Sequence, residues 1–173
     1  MVGEVRINNG RNEKTSMVIV DAQSVKNTDT AREKGYDAGK KISGIKRHIA
    51  VDTNGLPHGI HITTANVTDR NGAIALAQKS KDTLSKVEKM LVDGGYRGEE
   101  FKEKIEEILG AEVEVVKRNE LHKFVVLPKR WVVERSFGWL EKCRRLWKNC
   151  ERKLSTSLQM VVLAFISLLL KRF

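Results

Sequence analysis

Two aspartates stand where apolar stretches of the sequence end. Asp21 follows the apolar residues 17–20, and Asp93 follows the apolar residues 90–92 and precedes two glycines. Ligand sites in open α/β sheets collect at the carboxyl ends of strands, so two such acids converge if their strands are neighbours. A single acid in this position is often only a turn former or a helix cap. The pair is more informative, because the glycines remove side-chain bulk beside Asp93 and would let a phosphate backbone approach.

A third acid, Glu134, lies in a segment whose spacing predicts a helix from residue 128 to about residue 153. At 100° per residue, polar residues share one face of this helix and apolar residues the other. The polar stripe consists of Arg130, Glu134, Glu141, Arg145 and Lys148. The apolar face consists of Val132, Val133, Phe137, Leu140, Cys143, Leu146 and Trp147.

The polar stripe has two interpretations. One is a solvated helix face with i,i+4 ion pairs such as Arg130–Glu134. The other is a functional face, which Gly138 favours. Glycine inside a helix costs about 1 kcal/mol relative to alanine, and the close approach of a ligand would explain its presence.

Three carboxylates from separate elements, without a histidine or cysteine partner, suit hard cations that prefer oxygen ligands. Such a set can hold two Mg²⁺ ions about 3.5–4 Å apart, and Mn²⁺ can substitute. The two ions would activate the attacking oxygen and stabilise the leaving oxygen of an in-line phosphoryl displacement. Asp21, Asp93 and Glu134 are therefore candidate metal ligands for such a reaction.

The charge of the chain indicates a polyanionic partner. The formal net charge is +10 and the pI is about 9.7, which favours nucleic acid first and an acidic membrane surface second. Residues 117–153 contain twelve Lys or Arg and four acids. The predicted DNA-binding residues are Lys40, Lys41, Lys46, Arg47, Arg97, Arg130, Arg135, Lys142 and Arg145. For Trp131, Trp139 and Trp147, a place in the core or at its edge is favoured over stacking on bases.

Other classes of protein are excluded by composition. Two cysteines without a CxxC pair rule out a disulfide scaffold or a cysteine zinc site, and a reducing cytoplasm is expected. The four histidines form no convincing ligand set. Residues 1–15 lack the apolar core of a signal peptide. The apolar run 160–170 falls short of the roughly 20 residues of a membrane span, so it predicts a buried helix.

The predicted elements alternate in a way typical of an α/β fold. Residues 1–15 are expected to be a flexible lead-in, residues 35–44 a loop, and residues 16–173 one domain. The predicted strands are 17–21, 45–52, 56–63, 87–92 and 112–117, with a hairpin turn at 53–55. The predicted helices are 70–85, 99–109, 128–153 and 156–172. This order implies a mixed five-stranded sheet flanked by helices.

Five segments of the chain resemble the catalytic domain of bacterial insertion-sequence transposases of the DDE class, in the IS-four/IS-five group. The resemblance begins near Val18 and continues to the C-terminus. The last of its segments is highly specific, whereas the first would be weak by itself. The segments are residues 20–26 (VDAQSVK), 35–41 (GYDAGKK), 65–70 (ANVTDR), 92–98 (VDGGYRG) and 128–140 (PKRWVVERSFGWL).

The resemblance implies a ribonuclease-H-like fold in which the first and fourth strands are neighbours. It places the catalytic triad of two Asp and one Glu at Asp21, Asp93 and Glu134. The family also has a Tyr–Arg–Glu–Lys signature around its last acid. Arg130 matches the Arg of this signature, but Leu127 stands at the Tyr position and Glu141 at the Lys position, with Lys142 one residue later. The roles of the two outer positions are therefore open.

The same resemblance implies double-stranded DNA as the partner, as transposon ends and as target, with self-association on DNA in a bacterial cytoplasm. Relatives commonly carry an upstream helical region that binds the transposon ends. This chain begins close to Asp21. We therefore expect that the upstream region is missing, that a second reading frame joined by frameshifting encodes it, or that the chain is a truncated relic.

Three functions are compatible with the sequence. The leading hypothesis is a metal-dependent enzyme that cuts and joins DNA strands. The second is a non-catalytic DNA-binding remnant, which the intact acidic triad disfavours because a pure binder gains nothing from clustered like charges. The third is a nuclease that cuts without joining.

Overall fold

The computed structural model describes residues 1–116 and 130–171. The strands are β1 (Met17–Lys26), β2 (Gly35–Asp37), β3 (Ile42–Val51), β4 (Pro57–Thr64), β5 (Lys89–Val92) and β6 (Glu112–Val115). The helices are α1 (Val2–Asn8), α2 (Asp69–Lys79), α3 (Glu99–Leu109), α4 (Arg130–Glu141) and α5 (Leu154–Leu170). Short 3₁₀ turns lie at Gly94–Tyr96 and Arg144–Leu146.

The described strands form one mixed sheet in the order β2-β3-β1-β5-β6, and β4 also pairs with β3. β1 is antiparallel to β3 and parallel to β5, which is in turn parallel to β6. The first and fourth predicted strands are therefore neighbours. The sheet has six strands rather than the predicted five, because residues 35–37 of the predicted loop pair with residues 42–44.

Glycine explains why β2 has the appearance of a loop in the sequence. A Cβ atom at Gly35 would overlap the Asn66 side chain, and one at Gly44 would overlap the Val25 carbonyl oxygen. Both positions need glycine for close packing of the backbone. In the sequence alone, glycines at such positions are typical of a loop.

Helices cover both faces of the sheet, and β1 alternates between the two resulting cores. Val18 and Val20 pack with α2 and α3 in one core. Ile19 and Val25 pack with α4 and α5 in the other. Successive side chains of a strand point to opposite faces, so Asp21 and Gln23 belong to the face of β1 that α4 covers.

The N-terminal segment differs from the expected flexible lead-in. Residues 2–8 form α1, whose Val5 is 2% exposed and packs with Leu56 and Leu169. Arg6 forms a buried ion pair with Asp52. One apolar side chain, Val5, and one ion pair, Arg6–Asp52, anchor this helix. Residues 1–15 therefore carry too few apolar residues for the helix to be predicted from the sequence.

Helix α4 ends at Glu141, twelve residues before the predicted end at residue 153. After it, Asn149 joins the end of β1: its backbone N–H donates to the Lys26 carbonyl at 2.9 Å, and its carbonyl accepts from the Thr28 N–H at 2.9 Å. These bonds replace the helical ones. The predicted helix over 156–172 is confirmed as α5, but only one face of it is buried, and Leu163 and Leu170 are exposed. In the described ranges no helix has the length and apolarity to span a membrane.

Candidate active site

Strand pairing brings Asp21 and Asp93 together. The parallel pairing of β1 with β5 places Ile19 opposite Leu91, and each aspartate follows two residues later on its own chain segment. Both are partly exposed and line one small pocket with Ile19, Val20, Leu91, Val92 and Val116. β1 does not end at Asp21 as predicted but continues to Lys26, since its other edge stays paired with β3.

Backbone amides orient both aspartates. The Asp21 carboxylate accepts from the Ala22 N–H at 2.8 Å. The Asp93 carboxylate accepts from the Gly95 N–H at 2.8 Å and caps the 3₁₀ turn 94–96. Next to it, the buried Tyr96 phenol has a raised pKa, first because of burial and then because of the negative charges of Asp21, Asp69 and Asp93. The charges of the two aspartates therefore reach this neighbouring side chain.

Glu134 lies on the exposed side of α4, which packs over β1 and β3. Within residues 1–116 and 130–171, no three His, Cys, Asp or Glu side chains are close enough together to hold one metal ion. The structure therefore brings two of the three predicted ligands together and leaves Glu134 outside that group. Gly138, one turn further on, faces open space, since no described atom lies within 4 Å of a Cβ built there.

The aspartate pair fits a divalent cation of the magnesium type. Its donors are carboxylate oxygens, the ligands that Mg²⁺ and Mn²⁺ prefer. The pocket is open enough to leave both side chains partly exposed. Asp21 and Asp93 are the residues of this chain that could hold such an ion, with Glu134 as a third ligand if α4 brings it closer.

Two of the predicted DNA-binding residues are used inside the protein, which corrects the prediction for Lys46 and Arg47. The Lys46 ammonium lies 2.8 Å from Asp69 and 3.4 Å from Asp37, and donates to the Val67 carbonyl at 2.8 Å. Arg47 is 1% exposed. Burial lowers its pKa to about 10, although the charge of Glu141 opposes the shift. Neither cation is available to a phosphate.

Three other predicted contacts lie at the surface near the aspartates. Lys40 and Lys41 are exposed in the turn between β2 and β3, and the Lys40 ammonium donates to the carbonyl of Ala22 at 3.2 Å. Arg97 is exposed, and its guanidinium lies 3.6 Å from where a Cβ of Gly94 would be. Lys40 thus lies beside the residue that follows Asp21, and Arg97 lies beside the residue that follows Asp93.

The predicted DNA-binding residues on α4 and in the segment after it differ in their exposure and in their partners. Arg135 is half-buried between the rings of Trp131 and Trp139, at 4.5 and 4.9 Å from their centroids. Lys142 is exposed. Arg145 is paired with Glu151, whose Oε1 lies 3.0 Å from Nε and 2.8 Å from Nη2.

The remaining predicted positions cannot be placed. The side chain of Arg130 lies outside the described residues, and so does Leu127, at the Tyr position of the family signature.

Two of the three tryptophans contradict their predicted place in the core or at its edge, whereas Trp139 is half-buried. Trp131 is 53% exposed and Trp147 is 73% exposed. Trp147 falls outside the apolar periodicity because α4 has already ended at Glu141. Trp131 lies about 60° around the helix from Glu134, so a large exposed ring adjoins the third predicted catalytic acid.

The ion-pair network that Lys46 completes could not be predicted from the sequence. The Ser24 hydroxyl donates to Asp37 at 2.6 Å. Burial acts to raise the pKa of Asp37, but this bond, a backbone hydrogen bond and the Lys46 charge lower it to about 2. Asp37 and Asp69 both stand in segments of the resemblance, and that was the available signal. Spacing along one chain does not show which charges meet across three strands and a helix.

Comparison with known proteins agrees with this arrangement. The model of the transposase DDE domain family matches residues 12–170. A putative transposase for insertion sequence element IS402 from Burkholderia cepacia is 32% identical over 117 residues, which cover 64% of this chain and 55% of that protein. The chain thus spans about half the length of this curated relative.

Two solved structures show the same fold. A chain in the cryo-EM structure of the simian T-cell lymphotropic virus intasome, in complex with PP2A regulatory subunit B56 gamma, superposes with a TM-score of 0.56. It is 15% identical, and the match covers 89% of this chain and 48% of that one. The catalytic core domain of BIV integrase has a TM-score of 0.53 and 12% identity, with 88% and 82% of the two chains covered.

The predicted ribonuclease-H-like α/β fold is confirmed by the likeness to the integrase core. The match to the family model extends over nearly all of the chain, from the segment before β1 to the end of α5. The protein therefore belongs to the transposase DDE domain family.

Proposed function

We propose that this chain catalyses metal-dependent DNA strand cleavage and strand transfer at insertion-sequence ends, with Asp21, Asp93 and Glu134 as the catalytic residues. The observation that carries the proposal is the in-register placement of Asp21 and Asp93 beside adjacent parallel strands, in one pocket. Membership of the transposase DDE domain family supports the same reaction class.

The proposed cofactor is Mg²⁺, with Mn²⁺ as a substitute and two ions at the site. When bound, these ions activate the attacking oxygen and stabilise the leaving oxygen. The protein's part is to hold the ligands in place. The Ala22 and Gly95 amides fix the two aspartates through hydrogen bonds of 2.8 Å. Glu134 would complete the ligand set from α4.

DNA would approach from the open side of α4. Lys40 and Arg97 flank the aspartates and would position the phosphates without reading sequence. Gly138 leaves space for the backbone beside Glu134. The exposed Trp131 ring, with Arg135 stacked on it, offers a flat surface to a base.

The proposal also covers the partners of the protein, its family group and its location in the cell. The partners are double-stranded DNA, as transposon ends and target, and further copies of the chain. The proposal also includes the IS-four/IS-five group and a location in the bacterial cytoplasm, on nucleoid DNA.

A cleavage and joining assay on inverted-repeat DNA tests the proposal. We expect Mg²⁺-dependent strand cleavage, followed by joining to a target duplex, and loss of both in Asp93→Asn. Asp82→Asn, which alters an exposed aspartate in the turn after α2, is the matched control and should be fully active. Cleavage without joining would favour the nuclease, and DNA binding without cleavage would favour the remnant.

A further inference from the structure

A polar contact joins the middle of the sheet to the end of α4. Gln23 on β1 and Arg47 on β3 are direct partners across the two strands. The Gln23 side-chain amide donates to Glu141 Oε1 at 2.7 Å. Arg47 donates to the Gln23 side-chain oxygen at 3.4 Å and to the Leu146 carbonyl at 2.7 Å.

Arg47 is buried, whereas the Gln23–Glu141 bond lies at the surface. Taking a guanidinium out of water is costly unless its surroundings compensate the charge. Glu141 supplies a negative charge that opposes the effect of burial on the pKa of Arg47. The carbonyl of Leu146, in the turn after α4, accepts a hydrogen bond from the buried guanidinium.

The same contact is in register with the proposed catalytic acids. Gln23 follows Asp21 by two residues, so both are on one face of β1, about 6.6 Å apart along the strand. Glu141 follows Glu134 by seven residues, so both are on one face of α4, about 10.5 Å apart along the axis. A shift of α4 by one residue would rotate Glu134 by about 100°, and the Gln23–Glu141 bond opposes such a shift.

We infer that Gln23, Arg47 and Glu141 form a register pin that fixes the rotation of α4 about its axis, and so the direction in which Glu134 faces relative to Asp21 and Asp93. These three are positioning residues, since they act through Glu134. The inference rests on the proposed function, in which Glu134 completes the metal site. It also gives a role to Glu141, the residue at the Lys position of the family signature: its carboxylate turns toward the sheet and not toward DNA.

Mn²⁺ binding to the full chain tests the register pin, with the metal itself as the probe. We expect Glu141→Ala and Gln23→Ala to weaken Mn²⁺ affinity about tenfold, as Glu134→Gln does. Glu141→Ala should add no further loss in a Glu134→Gln background. Glu141→Gln should bind within about twofold of the unaltered chain, because its amide oxygen still accepts from Gln23.

Glu100→Ala is the matched control, since Glu100 is an exposed helix carboxylate whose ion pair with Lys104, at 2.6 Å, is remote from the sheet. Its affinity should not change. Melting curves without metal confirm that each variant is folded, which separates positioning from general stability.

The outcomes distinguish a failure of the register pin from a failure of the proposed function. Normal Mn²⁺ affinity in Glu141→Ala, beside weak affinity in Glu134→Gln, would overturn the register pin and leave the proposed function standing. Equal losses in Glu141→Gln and Glu141→Ala would also overturn it, because charge and not hydrogen bonding would then matter. Normal affinity in both Asp21→Asn and Glu134→Gln would overturn the metal site, and with it the proposed function.

Discussion

At the scale of single residues, cations that are equivalent in the sequence have different surroundings in the fold. Lys41 is exposed in a turn, whereas Lys46, five residues later, is buried between two carboxylates. Alternation along β3 predicts one outward-facing residue in every two. β3 is instead covered on both faces and paired on both edges, so Lys46 and Arg47 are both buried. Charge and spacing could not reveal that coverage.

Replacing Lys46 should lower the free energy of unfolding and should not remove a contact with DNA. Lys46→Ala leaves Asp37 and Asp69 facing each other without their shared cation. Breaking a fully buried pair costs about 3–5 kcal/mol, and we expect a smaller loss here because Asp69 is 30% exposed. Lys41→Ala should change the free energy of unfolding by less than about 0.5 kcal/mol. Urea unfolding of the two variants measures the difference. Comparable stability in both would mean that the Asp37–Lys46–Asp69 network contributes little.

The buried His48 should make the protein less stable in mild acid. Burial, followed by the charges of His61, Lys46 and Lys40, lowers the pKa of His48 to about 3. The unfolded chain takes up this proton below pH 6.5, whereas the folded chain does not until about pH 3. Stability therefore falls as the pH falls through that window, by about 1.4 kcal/mol per pH unit.

Between pH 7 and pH 5 this amounts to a loss of about 2 kcal/mol in the free energy of unfolding. His48→Gln keeps a polar side chain but does not titrate, so its stability should change less over the same interval. Urea unfolding at the two pH values measures both proteins. Identical pH dependence in His48→Gln would show that other groups cause the effect.

At the scale of elements, the sequence predicted the kinds of element better than their ends. The apolar face of α4 is confirmed, since Val132, Val133 and Leu140 are at most 1% exposed. The end of α4 was wrong by twelve residues because bonds between Asn149 and the end of β1 override helical periodicity. β1 was predicted too short because its pairing with β3 extends past the apolar run. Both errors come from partners that are distant in the sequence.

Two helix glycines should respond oppositely to alanine. A Cβ at Gly72 on α2 would overlap the imidazole of His48, and overpacking of this kind costs about 1–3 kcal/mol. A Cβ at Gly138 on α4 would have no described atom within 4 Å. Gly138→Ala should therefore stabilise the protein by up to about 1 kcal/mol.

Melting temperatures of the two variants measure this contrast, and a destabilised Gly138→Ala protein would contradict it. The same variant also tests the DNA path. If a DNA backbone passes beside Glu134, Gly138→Ala should lose cleavage activity while it gains stability. Full activity would show that the glycine leaves no space that DNA uses.

At the scale of the molecule, the order of strands in the sheet decides which of the predicted site residues come together. Each aspartate was identified from the end of an apolar run, and the parallel pairing of β1 with β5 then places the two acids together. Glu134 was identified from helical geometry and the family resemblance, but its reach depends on how α4 packs over the sheet. That packing depends on Gln23, Arg47 and Glu141, whose contacts join residues more than 90 positions apart.

The distribution of exposed charge leads to a prediction for DNA binding by the whole chain. Among the described residues, four of the predicted contacts stay accessible and outside ion pairs with Glu or Asp: Lys40, Lys41, Arg97 and Lys142. Each neutralised phosphate contributes about −0.9 to the slope of log affinity against log salt. Four contacts give a slope of about −3.6, and cations in residues 117–130 would make it steeper.

Fluorescence anisotropy with a labelled duplex, between 50 and 200 mM salt, measures this slope. Phosphate contacts do not read sequence, so inverted-repeat and scrambled duplexes should bind within about tenfold of each other, which is 1.4 kcal/mol. Lys40→Ala combined with Lys41→Ala should reduce the slope by about 1.8. Lys46 is buried beside Asp69 and should contribute nothing to it. A slope shallower than about −2, or an unchanged slope in the Lys40 and Lys41 double variant, would place the DNA on another surface of the molecule.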